Sequence, residues 1–151
     1  MSRRFPVGGM TLIALALVGI GVSAYLTVVH YAGVAPVCTV GGVVDCGAVT
    51  SSSYSMVPAT SIPVSLLGVA WFAVSGGMAL MAVIAARHGS AEPASLRIGH
   101  VLWAVIGVIV VLYLVYGEID LRRLCEWCTA VHVLVIASLL VAIGRWQRAP
   151  R

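Results

Sequence analysis

Four long apolar stretches occupy most of this 151-residue chain. Each is about 20 residues long, the length that a helix needs to cross the hydrocarbon core of a bilayer. Hydrophobic residues make up 61% of the chain and charged residues 9%, far from the proportions of soluble domains. The sequence therefore predicts an all-α integral membrane protein, with residues 1–151 forming a single domain built on four transmembrane helices.

The connections between these stretches differ in length. The predicted spans cover residues 9–30, 63–86, 98–117 and 125–144. Two of the connections are short, which favours antiparallel neighbours in a four-helix bundle. Residues 31–62 instead form a loop rich in Gly, Ser, Val and Thr, and loops of this length are commonly functional. The first span is longer than the apolar part of a signal peptide, so we interpret it as a retained helix.

The distribution of arginine predicts the orientation of the bundle, since the chain has no lysine. One side of the predicted bundle would carry Arg3, Arg4, Arg87, Arg97, Arg145, Arg148 and Arg151. Only Arg122 and Arg123 fall on the other side, so the positive-inside rule predicts that both termini are cytoplasmic, and we expect the protein in the plasma (inner) membrane. These arginines flank spans, which explains the net charge of +4 without a nucleic-acid interface. The tryptophans, apart from Trp127, lie mainly toward span ends and predict an aromatic belt.

All four cysteines avoid the middle of the predicted spans. Cys38 and Cys46 lie in the long loop, and Cys125 and Cys128 form a Cys-x-x-Cys motif where the fourth span begins. The predicted orientation places all four on the extracytoplasmic side, where disulfides form and persist. Two purely structural disulfides, or a zinc site, are the alternatives. A four-helix bundle seldom needs such staples, however, and thiolate zinc sites are unusual in an oxidising compartment.

The positions of these cysteines favour redox chemistry. Cys125 lies at a helix start, where free amides and the positive end of the helix stabilise a thiolate. The short ring of a Cys-x-x-Cys disulfide suits thiol exchange, and Cys128 lies one turn deeper toward a lipid-soluble acceptor. In the loop, Asp45 predicts a helix N-cap with Cys46 in the first turn, although Asp45 can equally be a solvated loop residue. Such a helix would place Cys46 above the fourth span and leave Cys38 on a mobile arm.

Several motifs together resemble the bacterial homologues of vitamin K epoxide reductase. These are Cys38-x7-Cys46, then Ser52-Ser53-Tyr54-Ser55, then Ile62-Pro63-Val64-Ser65-Leu66-Leu67-Gly68, and finally Cys125-x-x-Cys128. The resemblance covers essentially the whole chain. It implies a four-helix bundle around a quinone, either menaquinone or ubiquinone, with no metal. It also implies a separate DsbA-like protein of thioredoxin fold as the redox partner, because this chain has no fused thioredoxin-like domain.

The resemblance assigns roles to individual residues. It implies that the partner reduces the loop pair Cys38 and Cys46, that Cys46 exchanges with Cys125, and that Cys128 passes electrons to the quinone. Ser52 is expected near the quinone site, although it can also be a plain loop hydroxyl. His132 stands where vertebrate relatives carry tyrosine, one turn below Cys128, and can either bond a quinone carbonyl or serve in helix packing.

Two alternatives remain at the level of sequence. A DsbB-type protein performs the same overall chemistry on four helices, but there the Cys-x-x-Cys pair belongs to the first external loop, the reverse of the order here. The second alternative is a non-catalytic membrane protein with structural disulfides. Transporters commonly carry ionisable residues within their spans, whereas the predicted spans contain only His100 and His132 apart from His30 and Glu126 at span ends.

Overall fold

The computed structural model describes residues 7–39, 41–90 and 92–147. In chain order the helices are α1 (Val7–Tyr31), α2 (Cys46–Thr50), α3 (Val64–Arg87), α4 (Ala94–Leu121) and α5 (Glu126–Gln147), with a 3₁₀ turn at Ser53–Ser55 between α2 and α3. Four of these, α1, α3, α4 and α5, are long and apolar enough to cross a membrane, which confirms the predicted spans. Arg3, Arg4, Arg148 and Arg151, on which part of the predicted orientation rests, lie outside the described residues.

Helix α4 is longer than predicted. The predicted span stopped at Gly117 and assigned Glu118 to a turn, whereas the helix continues to Leu121. It ends at Arg122, whose backbone adopts the left-handed conformation with φ of 52°. The N–H of Arg123 then donates to the Glu118 carbonyl at 3.1 Å, closing the helix end as left-handed C-caps commonly do. Glu118 therefore lies in the last turn of a membrane helix.

The helices pack unevenly. Helix α1 lies closely against α3 and α5, and α4 packs on α5, whereas α3 and α4 make few contacts. Helix association in a bilayer depends on close van der Waals packing, which small residues permit. Phe72 of α3 is 1% exposed because its ring lies against Gly19 of α1, where a side chain would clash. The weakly packed boundary between α3 and α4 leaves room inside the bundle.

The two ends of the bundle differ in construction. We call the end that carries residues 32–63 and 122–125 the loop end. At the opposite end, Arg145 pairs with Glu92 at 2.8 Å. A little deeper, the Ser75 hydroxyl lies 3.1 Å from Nε2 of the buried His100.

The long loop is structured, and its short helix begins where the sequence predicts. The Ala48 N–H donates to Oδ1 of Asp45 at 2.9 Å, so Asp45 is the N-cap and Cys46 is the first residue of α2. This confirms the capping prediction and excludes the plain solvated role for Asp45. Helix α2 and the following 3₁₀ turn cover the loop end of the bundle.

Candidate redox site

The structure brings all four cysteines together at the loop end. Cys46 and Cys125 are fully buried and form one cluster with Val49, against which Cys38 and Cys128 pack. A disulfide joins Cys38 to Cys46, and Cys125 and Cys128 carry free thiols. Cys38 is only partly buried. Each pair therefore has one fully buried cysteine, Cys46 or Cys125, and one partly buried cysteine, Cys38 or Cys128.

A short backbone bridge aligns the two cysteine pairs. The Leu124 N–H donates to the Val43 carbonyl at 2.9 Å, and the Asp45 N–H donates to the Leu124 carbonyl at 3.0 Å. Leu124 directly precedes Cys125, and Asp45 directly precedes Cys46. The bridge pairs Val44 with Leu124 in parallel, so the two segments run in the same direction toward Cys46 and Cys125, which pack in one buried cluster.

Val37, the residue before Cys38, makes hydrogen bonds through both its N–H and its carbonyl. The Val37 N–H donates to the Tyr25 hydroxyl at 2.9 Å, and Nε1–H of Trp127 donates to the Val37 carbonyl at 2.7 Å. The rings of Tyr25 and Trp127 also pack together, with centroids 4.9 Å apart. Cys38 therefore follows a residue held by two hydrogen bonds, a more anchored arrangement than the predicted mobile arm, whose mobility stays a prediction. Trp127, which lies between Cys125 and Cys128, provides one of the two hydrogen bonds to Val37.

A cavity of 360 Å³ lies directly beneath the cysteine cluster. Its walls come from α1, α3, α4, α5 and the loop, and they are overwhelmingly apolar. Cys128 and His132 of α5 and Glu118 of α4 contribute the polar groups near the cysteine pair. This combination of an apolar cavity with a few placed polar groups is typical of a small-molecule site. The cavity suits an apolar ring compound held next to the Cys128 sulfur.

Two tryptophans connect α3 and α4 by hydrogen bonds along this cavity. Nε1–H of Trp71 donates to the Trp103 carbonyl, and Nε1–H of Trp103 donates to the Trp71 carbonyl, each at 3.1 Å. Their rings are stacked, with centroids 6.4 Å apart. Gly107 makes room for the Trp71 ring, since a Cβ there would lie 2.6 Å from it. Both tryptophans line the cavity, so the predicted aromatic belt is wrong for this pair.

Two cysteine pairs lie together above an apolar cavity, an arrangement that favours redox chemistry, and the sequence comparison agrees with it. The family model described as "Vitamin K epoxide reductase family" matches residues 10–143, which is most of the chain. The chain belongs to the vitamin K epoxide reductase family. Its members are membrane oxidoreductases linked to quinones, which makes this protein an oxidoreductase and removes the DsbB-type ancestry that the sequence had left open. No curated protein matches the sequence.

In this vitamin K epoxide reductase family member, the start of α5 stabilises a thiolate on Cys125. The Cys128 N–H donates to Sγ of Cys125 at 3.3 Å, and the Cys125 carbonyl accepts from the Thr129 N–H at 2.9 Å. Hydrogen bonding from the Cys128 thiol lowers the pKa of Cys125, with smaller help from the backbone amides, although burial acts against it. The backbone amides at the start of α5 therefore lower the pKa of Cys125 in the predicted direction, but the Cys128 thiol and burial have larger effects. A thiol of this kind is a good leaving group and exchange partner.

The predicted quinone-site residues of this family member do not all reach the cavity. His132 lines it one turn below Cys128, is 6% exposed, and its buried Nε2 has no hydrogen-bond partner among the described residues. Such an atom is available to bond a ligand carbonyl. Ser52 is not among the residues that line the cavity. Its hydroxyl donates to the Val49 carbonyl at 2.7 Å. Its neighbours Thr50 and Ser55 line the cavity in its place.

Sequence reasoning missed Glu118 as a residue of this family site. The side chain is 5% exposed, lines the cavity, and accepts the Cys125 N–H through Oε1 at 3.2 Å. The available signal was helical spacing, since Val111, Leu114 and Leu121 also line the cavity and recur on the same face of α4. Ending the span at Gly117 hid this pattern. Over residues 7–39, 41–90 and 92–147, the structure has no His, Cys, Asp and Glu cluster that could hold a metal ion.

Proposed function

We propose that this protein is a quinone-dependent thiol oxidase that reoxidises a separate DsbA-like protein of thioredoxin fold. Electrons would pass from the partner through Cys38 and Cys46 to Cys125 and Cys128, and then to a membrane quinone. The observation that carries the proposal is the single cluster of four cysteines above a cavity that Cys128 lines. Reoxidised partner protein would support disulfide formation in exported proteins.

The proposed orientation puts both termini in the cytoplasm and the loop end outside the plasma membrane. Of the described arginines, Arg87, Arg97 and Arg145 belong to the opposite end, and Arg122 and Arg123 to the loop end. This asymmetry supports the orientation through the positive-inside rule. The partner then meets Cys38 in an oxidising compartment, where exported thiols become disulfides.

The proposed exchange steps conserve electrons at each stage. A partner thiolate attacks Sγ of Cys38, which breaks the Cys38–Cys46 disulfide, and the second partner thiol then displaces Cys38. The freed Cys46 thiolate attacks Sγ of Cys125 in the oxidised helix pair, and Cys128 leaves as a thiolate. Cys38 next displaces Cys125 from Cys46, which restores the loop disulfide. Cys125 and Cys128 then become a disulfide again by giving two electrons to the acceptor.

A quinone, either menaquinone or ubiquinone, supplies the two-electron acceptor when bound. Cys128 is the proposed donor of electrons, and His132 is the proposed hydrogen-bonding group for a quinone oxygen, because its buried Nε2 lacks another partner among the described residues. Ser52 keeps its place in the proposal as an indirect contributor. Its carbonyl accepts from the Ser55 hydroxyl at 2.7 Å, which orients a residue that lines the cavity.

The decisive experiment combines purified protein, reduced DsbA-like protein and a soluble quinone analogue. The unaltered protein should reduce the analogue, and Cys128→Ser should not. Val133→Ala is the matched control, since Val133 lies on the same helix but is 60% exposed on its outer face. Persistent quinone reduction by Cys128→Ser would contradict the mechanism, and absence of activity in the unaltered protein would favour structural disulfides.

The partner can be identified separately by trapping. In a Cys46→Ala variant, the Cys38 thiolate can attack the disulfide of the oxidised partner, which breaks that disulfide and leaves one partner cysteine bonded to Cys38. No Cys46 thiol is present to resolve this bond, so the mixed disulfide should be trapped. A thioredoxin-fold protein attached to Cys38 would support the proposed substrate and point of entry. Attachment at Cys125 instead would mean that the loop pair is not the entry point.

A further inference from the structure

Glu118 is a buried carboxyl group in the site that has no counter-ion among the described residues. It is 5% exposed in the last turn of α4, whereas Asp120, two residues on, is exposed and accepts from the Tyr54 hydroxyl at 3.0 Å. Among the described residues that line the cavity, Glu118 is the only acidic one. Ionisable side chains inside membrane segments are costly, and those present commonly mark proton or ion pathways.

The hydrogen bonds of Glu118 link it to the reactive cysteine. Oε1 accepts the backbone N–H of Cys125 at 3.2 Å, and the other carboxylate oxygen has no hydrogen bond within the described part of the chain. The same side chain lines the cavity together with Cys128. One oxygen is therefore fixed at the start of α5, and the second is available for proton exchange.

Several titratable groups lie in the same region as this carboxyl. Cys125 donates its N–H to it, Cys128 and His132 of α5 line the same cavity, and the Tyr54 ring of the 3₁₀ turn packs on the adjacent Gly117. The nearby cation does not neutralise it, since the Arg123 guanidinium donates to the Gly42 carbonyl at 3.1 Å. A carboxyl without a cationic partner can take up a proton and persist as a neutral group in an apolar site.

We propose that Glu118 is the proton-transfer group of the Cys125–Cys128 pair. This inference rests on the proposed function and adds the path of the protons. Oxidation of the two thiols to a disulfide releases two electrons and two protons, and reduction of a quinone to a hydroquinone consumes two of each. Glu118 takes one proton from the thiol pair and passes it to the acceptor in the cavity, so that it ends in its starting state. The second thiol proton leaves to water at the loop end, and the acceptor takes its second proton from water.

The first test measures protonation without any quinone. In a Cys38→Ser/Cys46→Ser background, infrared difference spectra compare the dithiol and disulfide forms of the helix pair. Reduction should produce a carboxylic-acid carbonyl band that is absent in Glu118→Gln. Glu126→Gln is the matched control, since it removes an exposed carboxyl from the same Cys-x-x-Cys region and should keep the band. Retention of the band in Glu118→Gln would overturn the proposal.

The second test separates proton transfer from positioning. Glutamine keeps an oxygen that can accept the Cys125 N–H, so exchange between Cys46 and Cys125 should proceed at the normal rate in Glu118→Gln. The following step, reduction of the quinone analogue by the dithiol pair, should slow by about 10²-fold, a typical contribution of a positioned acid or base. This loss should grow as the pH rises, because solvent protons become scarcer. Glu118→Asp should restore part of the rate.

The outcomes distinguish this inference from the function on which it rests. If the unaltered protein fails to reduce the quinone analogue, the proposed function fails. If it does reduce the analogue and Glu118→Gln shows the same rate and pH profile, only the role of Glu118 is wrong. An equal slowing of both the exchange step and the quinone step would make Glu118 a structural cap of α5, and would also contradict the proposal.

Discussion

The cysteine cap and the cavity beneath it are built from different interactions. We define the cysteine cap as residues 37–39, 41–46 and 124–127. It is held by directional hydrogen bonds, including the Leu124 bridge and the paired contacts of Val37. The cavity wall is apolar, with Glu118, Cys128 and His132 as its polar groups near the cysteines. Sulfur exchange needs fixed atoms, whereas a site for an exchangeable lipid-soluble ligand needs shape and few directional demands.

The largest expected effect comes from replacing one cysteine in the cysteine cap or one cysteine in the cavity wall. Cys46→Ser should abolish turnover driven by the partner protein but retain quinone reduction driven by dithiothreitol, which can reduce the helix pair directly. Cys128→Ser should reduce both activities to background, because the cavity then lacks its electron donor. Assays with both reductants check this. Equal loss in both assays for Cys46→Ser would mean that the cap and the cavity do not work as separate stages.

Replacing a glycine in the cavity wall with alanine should disturb the cavity and leave the cysteine cap unchanged. Gly107→Ala places a Cβ 2.6 Å from the Trp71 ring, and overpacking of this kind costs about 1–3 kcal/mol of unfolding free energy. We expect lower thermal stability in detergent and a higher KM for quinone, with unchanged exchange between the cysteine pairs. Gly99→Ala on the same helix is the control, because nothing lies within 4 Å of its Cβ position. Identical behaviour of the two variants would show that the close contact between Gly107 and Trp71 does not matter for the cavity.

Loss of the proposed hydrogen bond from His132 should have a smaller effect. His132→Phe removes a bond that contributes about 1 kcal/mol, so the KM for quinone should rise roughly fivefold to tenfold. His132→Gln keeps a polar group that can donate and should lose less. Steady-state kinetics at saturating partner concentration provide the measurement. A phenylalanine variant with normal KM would return His132 to the packing role that the sequence also allowed.

The smallest effect is expected at the anchor of Val37. Trp127→Phe keeps an aromatic ring near Tyr25 but removes the 2.7 Å bond to the Val37 carbonyl, which is worth about 1 kcal/mol. Hydrogen exchange at Val37 to Thr39 should increase, and Cys38 should react a few times faster with small dithiols. The KM for quinone should stay the same. A change in KM without faster exchange would show that this anchor belongs to the cavity instead of the cap.

The sequence predicted the elements whose signals are local. Each span is a continuous apolar run, and the N-cap of α2 depends on Asp45 and the amide three residues later. The grouping of the four cysteines followed from their positions in two loops on one side of the bundle. These features depend on neighbours in the chain or on topology, so a single sequence contains the information for them.

Other features depend on contacts between distant segments and were missed for that reason. The last turn of α4 contains a glycine and two acids, which locally favour a turn, but Tyr54 packs on Gly117 and Cys125 bonds Glu118. The two hydrogen bonds between Trp71 and Trp103 depend on the relative axial position of α3 and α4. Ser52 carries a family motif, yet its hydroxyl turns to the Val49 carbonyl. None of these depends on sequence spacing alone.

The bridge at Leu124 has a consequence for the choice of partner. It connects the two cysteine pairs through main-chain atoms, which every residue type supplies apart from the missing N–H of proline. The exposed side chains of the neighbouring loop, such as Val37 and Val43, can therefore be exchanged without moving the sulfurs. Under the proposed function, the outer surface can be redesigned for a different partner while the proposed cysteine relay keeps its geometry, so recognition and electron transfer can be engineered separately.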